Sequence, residues 1–413
     1  MKVLFLDAYF RPETTAYTHL EDDLIKGLIL KGHTIIVLCP TPSRGVDKET
    51  IKKYKRIKYE ELFEGNVVVK RFFSPLERKS PILRALRYFW INLRTYQIAI
   101  KQKEIDIVFS NSTPPTQGFL GGIIAHKLGK KSRRKVGFLY NLQDIFPDSL
   151  ISTNLTKRGS LLWNIGRRLE NATYNMADKI VLISKGFQEN VLSKGVMEEK
   201  VKIISNWIDL TSVHPVTRKE NKLITEFGLD PRKFFVVYAG NFGASQGADI
   251  VLKVARQMTS YVDIQFVIFG GGTYFESAKR EARDLTNVLI YDLMPLERIS
   301  EVYSLGDVAL ITCKSGTGMA GLPSKIWSIM ACNTYIIASF DIKSDLAYIL
   351  QDSGAGVCVE PENVECLKSE IIKKYLSIKE NVNLREYVKK HASRDICVNK
   401  FIREFENFGT SNE

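Results

Sequence analysis

Three glycine-bearing segments in the second half of the chain have the composition of a phosphate site. They are Gly240, Gly243 and Gly247 in AGNFGASQG, Gly270 to Gly272 in FGGG, and Gly316, Gly318 and Gly321 in KSGTGMAGLPSK. Each follows an apolar run that reads as a buried strand, and glycine lets the main chain come close to a ligand. The third segment continues into Pro323, Ser324 and Lys325. Pro323 fits a first helical position, where a missing N–H costs nothing. Ser324 and Lys325 then fall in the first turn, where free N–H groups and the helix dipole favour an anion. A single loop of this kind equally suits an ordinary connection that caps a helix. Three of them at one edge of a parallel sheet describe a site for a ligand with a phosphate middle and two polar ends. A nucleoside diphosphate sugar fits, with Lys325 as its cation.

In the first half the candidate groups stand at strand ends. Gln143 to Asp148 (QDIFPD) follows the strand-like VGFLYNL, and a carboxylate there suits a base or a hydroxyl-binding group. A turn aspartate would look the same at Asp144. His126 stands alone on a helix beside Lys127 and reads as structural or solvated. The joint after the first strand is RPETTAYT, without a GxGxxG, which argues against a dinucleotide there.

Charge separates the halves. The net charge is +13, yet residues 1–215 hold 35 Lys and Arg against 21 Asp and Glu, and the remainder 24 against 25. All the excess positive charge is therefore in the first half, which should meet an anionic partner. Within it, PLERKSPILRALRYFWINLRTYQIAIKQK (75–103) interleaves Arg78, Lys79, Arg84, Arg87 and Arg94 with Leu83, Leu86, Tyr88, Phe89, Trp90 and Tyr96. Such a helix suits an anionic bilayer surface, or packs on the sheet with a basic outer face. No nucleic-acid motif accompanies the charge. No apolar run reaches membrane-span length, and the N-terminus lacks a signal-peptide pattern. The six cysteines are scattered without metal-type spacing and read as buried thiols of a reducing compartment.

These groups need a scaffold of alternating strands and helices. Residues 2–10, 34–39, 66–73, 105–111, 136–142, 179–184 and 201–205 read as strands, with a polar, lysine-rich loop plus a short element over 43–63 and the turn Glu13 to Ala16 leading into a helix over 17–31. That pattern predicts a doubly wound sheet of six or seven strands. After His214-Pro215 it restarts, with strands at 234–239, 264–269, 288–291, 308–312, at the end of the stretch 314–339 and at 358–359, and a final apolar-striped helix at 394–408. Parallel crossovers of this kind put ligands at the carboxyl ends of the strands.

FLDAYFRPE, Gly32-His33, YNLQDIFPDSL, ADKIVLIS, VKIISNWIDL, AGNFGASQG, FGGG and LPSKIWSIMA, in this order over nearly the whole chain, resemble family-four retaining glycosyltransferases, in the branch of capsule, O-antigen and colanic-acid synthesis. The resemblance implies an α/β GT-B fold: two Rossmann-like doubly wound domains facing a central cleft. Residues 1–212 would be the acceptor- and membrane-facing domain, 213–393 the donor domain, and 394–413 a helix crossing back to the first. The implied reaction moves a sugar from a nucleoside diphosphate, with UDP as the expected nucleotide, to a polyprenyl-diphosphate-linked glycan, with retention, as a hexosyl or N-acetylhexosaminyl transfer. The leaving diphosphate would help deprotonate the acceptor, so no metal or other cofactor is expected. The implied catalytic groups are Lys325 and Asp144. Donor contacts would come from Gly240, Asn241, Phe242, Gly243, Gln246, Gly271, Gly272, Leu293, Met294, Ser315, Gly316, Thr317, Gly318, Leu322, Pro323, Ser324 and Ser328. The acceptor would meet Glu13, Thr15, Asn111, Phe146 and Asp148.

The chain departs from the family at two places. Ser245-Gln246 stand where a basic residue is common, and Ala320 and Ser328 where two glutamates are usual. The second departure leaves a non-catalytic nucleotide-sugar-binding subunit of a polysaccharide assembly complex as an alternative. The expected location is cytoplasmic, peripherally on the inner face of the plasma membrane.

Overall fold

Apolar runs too short for helices, bounded by turn residues, become parallel strands. In a computed structural model, which describes residues 1–413 apart from 14, 16, 78–79, 153–155, 378–382 and 410–413, two sheets are built in this way. The chain divides into one unit of residues 1–151, 156–205 and 397–413 and a second that takes in 206–396.

The first unit contains β1 (Lys2–Leu6), β2 (Thr34–Pro40), β3 (Tyr59–Leu62), β4 (Val67–Phe72), β5 (Ile107–Asn111), β6 (Gly137–Leu142), β7 (Lys179–Leu182) and β8 (Val201–Ile203). Their order is β3-β4-β2-β1-β5-β6-β7-β8, parallel except for β3 on β4. The chain winds outward from β1 to β4, then starts again at β5 on the other side of β1. The switch point is therefore between β1 and β5.

The eighth strand, β3, lies inside the stretch expected to be a loop with one short element. Its sequence is YEEL, and one face of this edge strand is exposed, so hydropathy does not mark it. Phe63, Glu64 and Gly65, at φ 51°, 55° and 86°, turn it back onto β4. The first strand is shorter than expected. After Leu6 only the Asp7 amide still bonds the neighbouring strand, at Leu38 O (3.0 Å), and Ala8 and Phe10 bury as loop.

The second unit contains β9 (Phe234–Asn241), β10 (Ile264–Gly271), β11 (Val288–Asp292), β12 (Val308–Thr312), β13 (Tyr335–Ser339) and β14 (Gly356–Val359). Their order is β11-β10-β9-β12-β13-β14, all parallel, with the switch between β9 and β12. At that switch β9 and β12 pair only through Val236 with Val308 and Val237 with Ala309, although β9 runs on to Asn241 and β12 to Thr312. The sheet opens there toward its carboxyl edge. Helices Asp345–Ser353 and Leu384–His391 were not expected from the sequence. The second is strongly polar (LREYVKKH) and buries only Leu384 and Val388.

The final helix, Arg394–Gly409, buries Val398, Phe401, Ile402 and Phe405. From Cys397 onward it belongs to the first unit. The Phe405 ring lies 6.4 Å from that of Phe5 and 5.6 Å from that of Phe109, on β1 and β5. Gly27 allows the approach, since a Cβ there would lie 2.5 Å from Val398 Cγ1. Truncating a fully buried aromatic ring costs about 3–5 kcal/mol. Phe405→Ala should therefore lower the urea midpoint of the first unit's unfolding, an effect readable by near-ultraviolet circular dichroism.

Candidate active site

At the carboxyl edge of the second sheet, the loops after β9, β10 and β12 are tied together by hydrogen bonds. Lys314 N donates to Ser245 O (2.9 Å), Thr312 Oγ1 to Gln246 O (2.7 Å) and Phe242 N to Gly271 O (2.7 Å). Two glycines are required. Gly247 has φ +57°, and a Cβ on it would lie 2.6 Å from Cys313 O; Gly272 has φ +104°, and a Cβ there would collide with Asn241 Oδ1. Across this edge Asn241 Nδ2 donates to Gln246 Oε1 (3.4 Å), and Leu293 Cδ1 lies 3.1 Å from where a Cβ on Gly271 would be. Met294 packs on the core beneath.

Lys325 comes into the opening between β9 and β12. Its Nζ donates to Ala239 O (3.2 Å) and lies 4.6 Å from the centroid of the Tyr238 ring. Ala239 is in the part of β9 that β12 no longer pairs. Lys325 is half-buried as a residue, but its ammonium end is enclosed, and this desolvation lowers its pKa to about 8. Among the described residues no carboxylate lies within 4.0 Å of it. A poorly solvated ammonium without a counter-charge is a ready partner for an anion.

Several expected donor contacts are arranged otherwise. Pro323 precedes the helix, which starts at Lys325 and has seven residues, with Ser324 at the N-cap. A turn closed by Ile326 N on Pro323 O takes the place of a first helical turn. The Gly316 and Gly318 amides donate to the Asp341 carboxylate at 2.9 and 2.7 Å, so that turn is closed by an acid of the protein itself. Thr317 Oγ1 bonds Ser245 O and Lys314 O, and the Ser315 amide faces Glu362. Phe242 is buried against Tyr238 and Phe275, so its side chain serves the core. Ser324 is exposed, and Leu322 and Ser328 are half-buried.

In the first unit, four of the expected acceptor residues are likewise engaged inside the protein. Glu13 is buried and accepts from the Ser43 and Arg44 amides at 2.8 and 2.9 Å, which fixes the loop after β2. Asn111 is buried and donates to Asp7. Asp148 accepts from Lys194 Nζ (2.9 Å), which also bonds Glu170 (2.7 Å). Desolvation would raise Asp148, but Lys194 and Asn190 bring it below the usual carboxylate range. Thr15 is half-buried, with its amide and hydroxyl on the Thr18 hydroxyl at 3.0 and 2.8 Å, and Phe146 is half-buried and packed on Gly166. Asp144 is exposed at its edge yet closely flanked by protein. Desolvation raises its carboxyl, against a hydrogen bond from Ser149.

The same edge holds a carboxyl pair that pattern reading passed over. Asp7, one residue beyond β1, and Glu21, on the inner side of helix Thr18–Leu30, are 3% and 1% exposed and share a hydrogen bond. A polar chain leads away from them. Asn111 Nδ2 donates to Asp7 (3.3 Å), Asn141 Nδ2 to Asn111 Oδ1 (2.7 Å) and Gln143 Nε2 to Asn141 Oδ1 (3.1 Å). Burial raises Asp7 to about 7 against the bonds from Glu21 and Asn111; burial, then the charge of Asp7, raises Glu21 well above its ordinary value. Two adjacent buried carboxyls keep a proton between them. A sequence signal existed: Glu21 stands three residues before Leu24 and seven before Leu28, in the helix's apolar stripe.

The two-sheet architecture agrees with the relatives. Residues 22–212 match the family model for glycosyltransferase family 4, and residues 219–392 the model for glycosyl transferases group 1. The chain belongs to the GT-B glycosyltransferases of family four. It is 23% identical to the putative colanic acid biosynthesis glycosyl transferase WcaI of Escherichia coli K12, over 98% of this chain and 99% of that one. Among solved structures, the sucrose-phosphate synthase of Thermosynechococcus elongatus aligns with a TM-score of 0.74 at 14% identity, over 99% of both chains. Anabaena HepE, in complex with UDP and glucose, aligns at 0.67 and 16% identity, over 98% of this chain and 100% of that one. This glycosyltransferase has, among its described residues, no helix long and apolar enough to cross a membrane.

The carboxyl pair makes the glycosyltransferase's stability depend on pH. An unfolded Asp7 loses its proton near 3.8, the folded one near 7. The stabilising contribution of the held proton is complete below about pH 4 and is lost as pH rises through about 7. The melting temperature of the wild type should therefore fall between pH 5 and pH 8, and the curve for Asp7→Asn should be flatter over that interval.

Proposed function

We propose that this glycosyltransferase moves a hexosyl or N-acetylhexosaminyl group from a UDP-sugar to a polyprenyl-diphosphate-linked glycan in surface polysaccharide synthesis, with retention of configuration. The observation that carries the reading is the Lys325 ammonium in the opening between β9 and β12, flanked by the glycine loops. UDP and UDP-glucose in HepE complexes support the donor class, and the colanic acid assignment of WcaI supports the polymer.

In this reading the diphosphate lies against Lys325, Gly240 and Gly272, with Asn241, Gln246 and Ser328 toward its sugar and ribose and Leu293 toward the base. As the bond from the anomeric carbon to the diphosphate breaks, negative charge gathers on the departing oxygen. The acceptor hydroxyl attacks on the same face and gives up its proton to that oxygen. Stabilising the departing charge and holding both partners in place are the enzyme's work. Lys325 supplies positive charge of the kind a divalent cation gives elsewhere, so transfer should survive chelation. Asp144, Thr15 and Phe146 of the first unit contact the acceptor.

The acceptor's lipid implies a bilayer. Helix Pro81–Ala99 carries Ile82, Leu83, Leu86, Phe89, Trp90 and Leu93 as exposed residues on one side, with Arg84 and Arg94 near them. Arg78 and Lys79, expected in the same helix, lie outside the described residues. An apolar strip of this size with basic neighbours suits an anionic membrane surface.

Two measurements test the reading. Lys325→Ala should lower transfer to a short lipid-linked acceptor by about 10²–10³-fold, the effect of losing one stabiliser of developing charge, with circular dichroism unchanged. Because Lys325 is charged below about 8, wild-type affinity for UDP should fall as pH rises through that value. Unchanged turnover in the variant removes Lys325 from the mechanism. Separately, Leu86→Ser with Phe89→Ser should reduce sedimentation with phosphatidylglycerol vesicles and leave UDP binding intact.

A further inference from the structure

Helix Pro81–Ala99 has a second side, and its most unusual residue points inward. Arg87 is 2% exposed. Its Nε donates to Pro75 O (3.0 Å) and its Nη2 to Ser43 Oγ (2.8 Å), while Nη1 is buried without a partner. Among the described residues, neither Arg87 nor Arg44 has a carboxylate within 4.0 Å. Glu13 Oε1 accepts from the Ser43 and Arg44 amides and lies 3.4 Å from the Ser43 hydroxyl, so it reaches Arg87 only through Ser43; the Arg87 charge acts on its carboxyl without a direct ion pair. Glu77 accepts from Tyr9 (3.1 Å) and pairs with Arg84 (3.4 Å). A guanidinium keeps its charge at any physiological pH, and burying that charge without a contacting counter-charge is unfavourable.

The surroundings fit an anion from outside. The Arg87 and Arg44 guanidiniums lie 5.5 and 5.6 Å from the centroid of the same Tyr9 ring. Arg44 is exposed and Tyr9 half-buried, and the Tyr9 hydroxyl is 3.1 Å from that of Tyr88. Tyr9 follows β1, Ser43 and Arg44 follow β2, and Pro75 follows β4, so the group gathers at the carboxyl edge, where open sheets bind ligands. Guanidinium groups bind phosphate through paired, charge-assisted hydrogen bonds. The exposed apolar side of the same helix is where a lipid chain would lie.

We propose that Arg87, Arg44 and Ser43 form an anion subsite that takes the diphosphate of the lipid-linked acceptor. The assignment rests on the lipid-acceptor reading above, and it is independent of the donor site.

Farnesyl diphosphate, a short lipid diphosphate, is the probe, titrated calorimetrically into the full-length protein beside inorganic pyrophosphate and UDP. The wild type should bind farnesyl diphosphate at least tenfold more tightly than pyrophosphate. Arg87→Lys, which keeps the charge and loses the paired geometry, and Arg44→Ala should each weaken farnesyl diphosphate binding at least tenfold and leave UDP binding unchanged. Arg44 is exposed, so its variant carries the test if Arg87→Lys does not fold. Unchanged farnesyl diphosphate affinity in Arg44→Ala overturns the subsite, and equal affinity for pyrophosphate overturns its lipid assignment. Loss of farnesyl diphosphate binding in the variants of a protein that binds no UDP would uphold the subsite while rejecting the UDP-donor reading.

Discussion

The ammonium of Lys325 is held where two neighbouring strands stop pairing. Parallel strands at a switch point are connected to opposite sides of the sheet, so their carboxyl ends are free to separate. In the second unit β9 and β12 part after Val237 and Ala309, and the Ala239 carbonyl is left facing the gap. Lys325 bonds that carbonyl and stacks over Tyr238. The glycines around it follow from the same constraint, because loops crossing so narrow an edge leave no room for a Cβ at Gly247 or Gly272.

The first unit has acids at its switch point, where β1 and β5 stay paired as far as Leu6 and Ser110. At its switch point, between β1 and β5, stands the Asp7–Glu21 pair, joined through Asn111 and Asn141 to Gln143. One switch point thus holds a buried cation and the other a buried acid pair. Each departs from the rule that interiors avoid ionisable groups; Lys325 and Glu21 reach their switch points from helices, and Asp7 from the residue after β1.

Much of the scaffold was legible in the sequence because it depends on local pattern. Apolar runs with β-branched residues gave the parallel strands, and the spacing of Leu20, Leu24 and Leu28 gave the first helix. The order of glycine loops led to the edge where Lys325 meets β9. The partners of polar side chains were not legible, because they come from distant parts of the chain. Nothing near Gly316 and Gly318 announces Asp341, and nothing near Glu13 announces the Ser43 and Arg44 amides. Phe242 sits in a loop with the composition of a ligand contact, yet its ring reaches the core through Tyr238 and Phe275. Asp7 and Glu21 were passed over because a carboxylate at a strand end or on a helix is ordinary until its burial is known.

The Asp341 carboxylate on the Gly316 and Gly318 amides closes that loop with an acid of the protein itself. Two main-chain donors of a glycine loop are thereby spent inside the fold. The loop holds its shape through its own contacts and does not wait for a ligand to supply them.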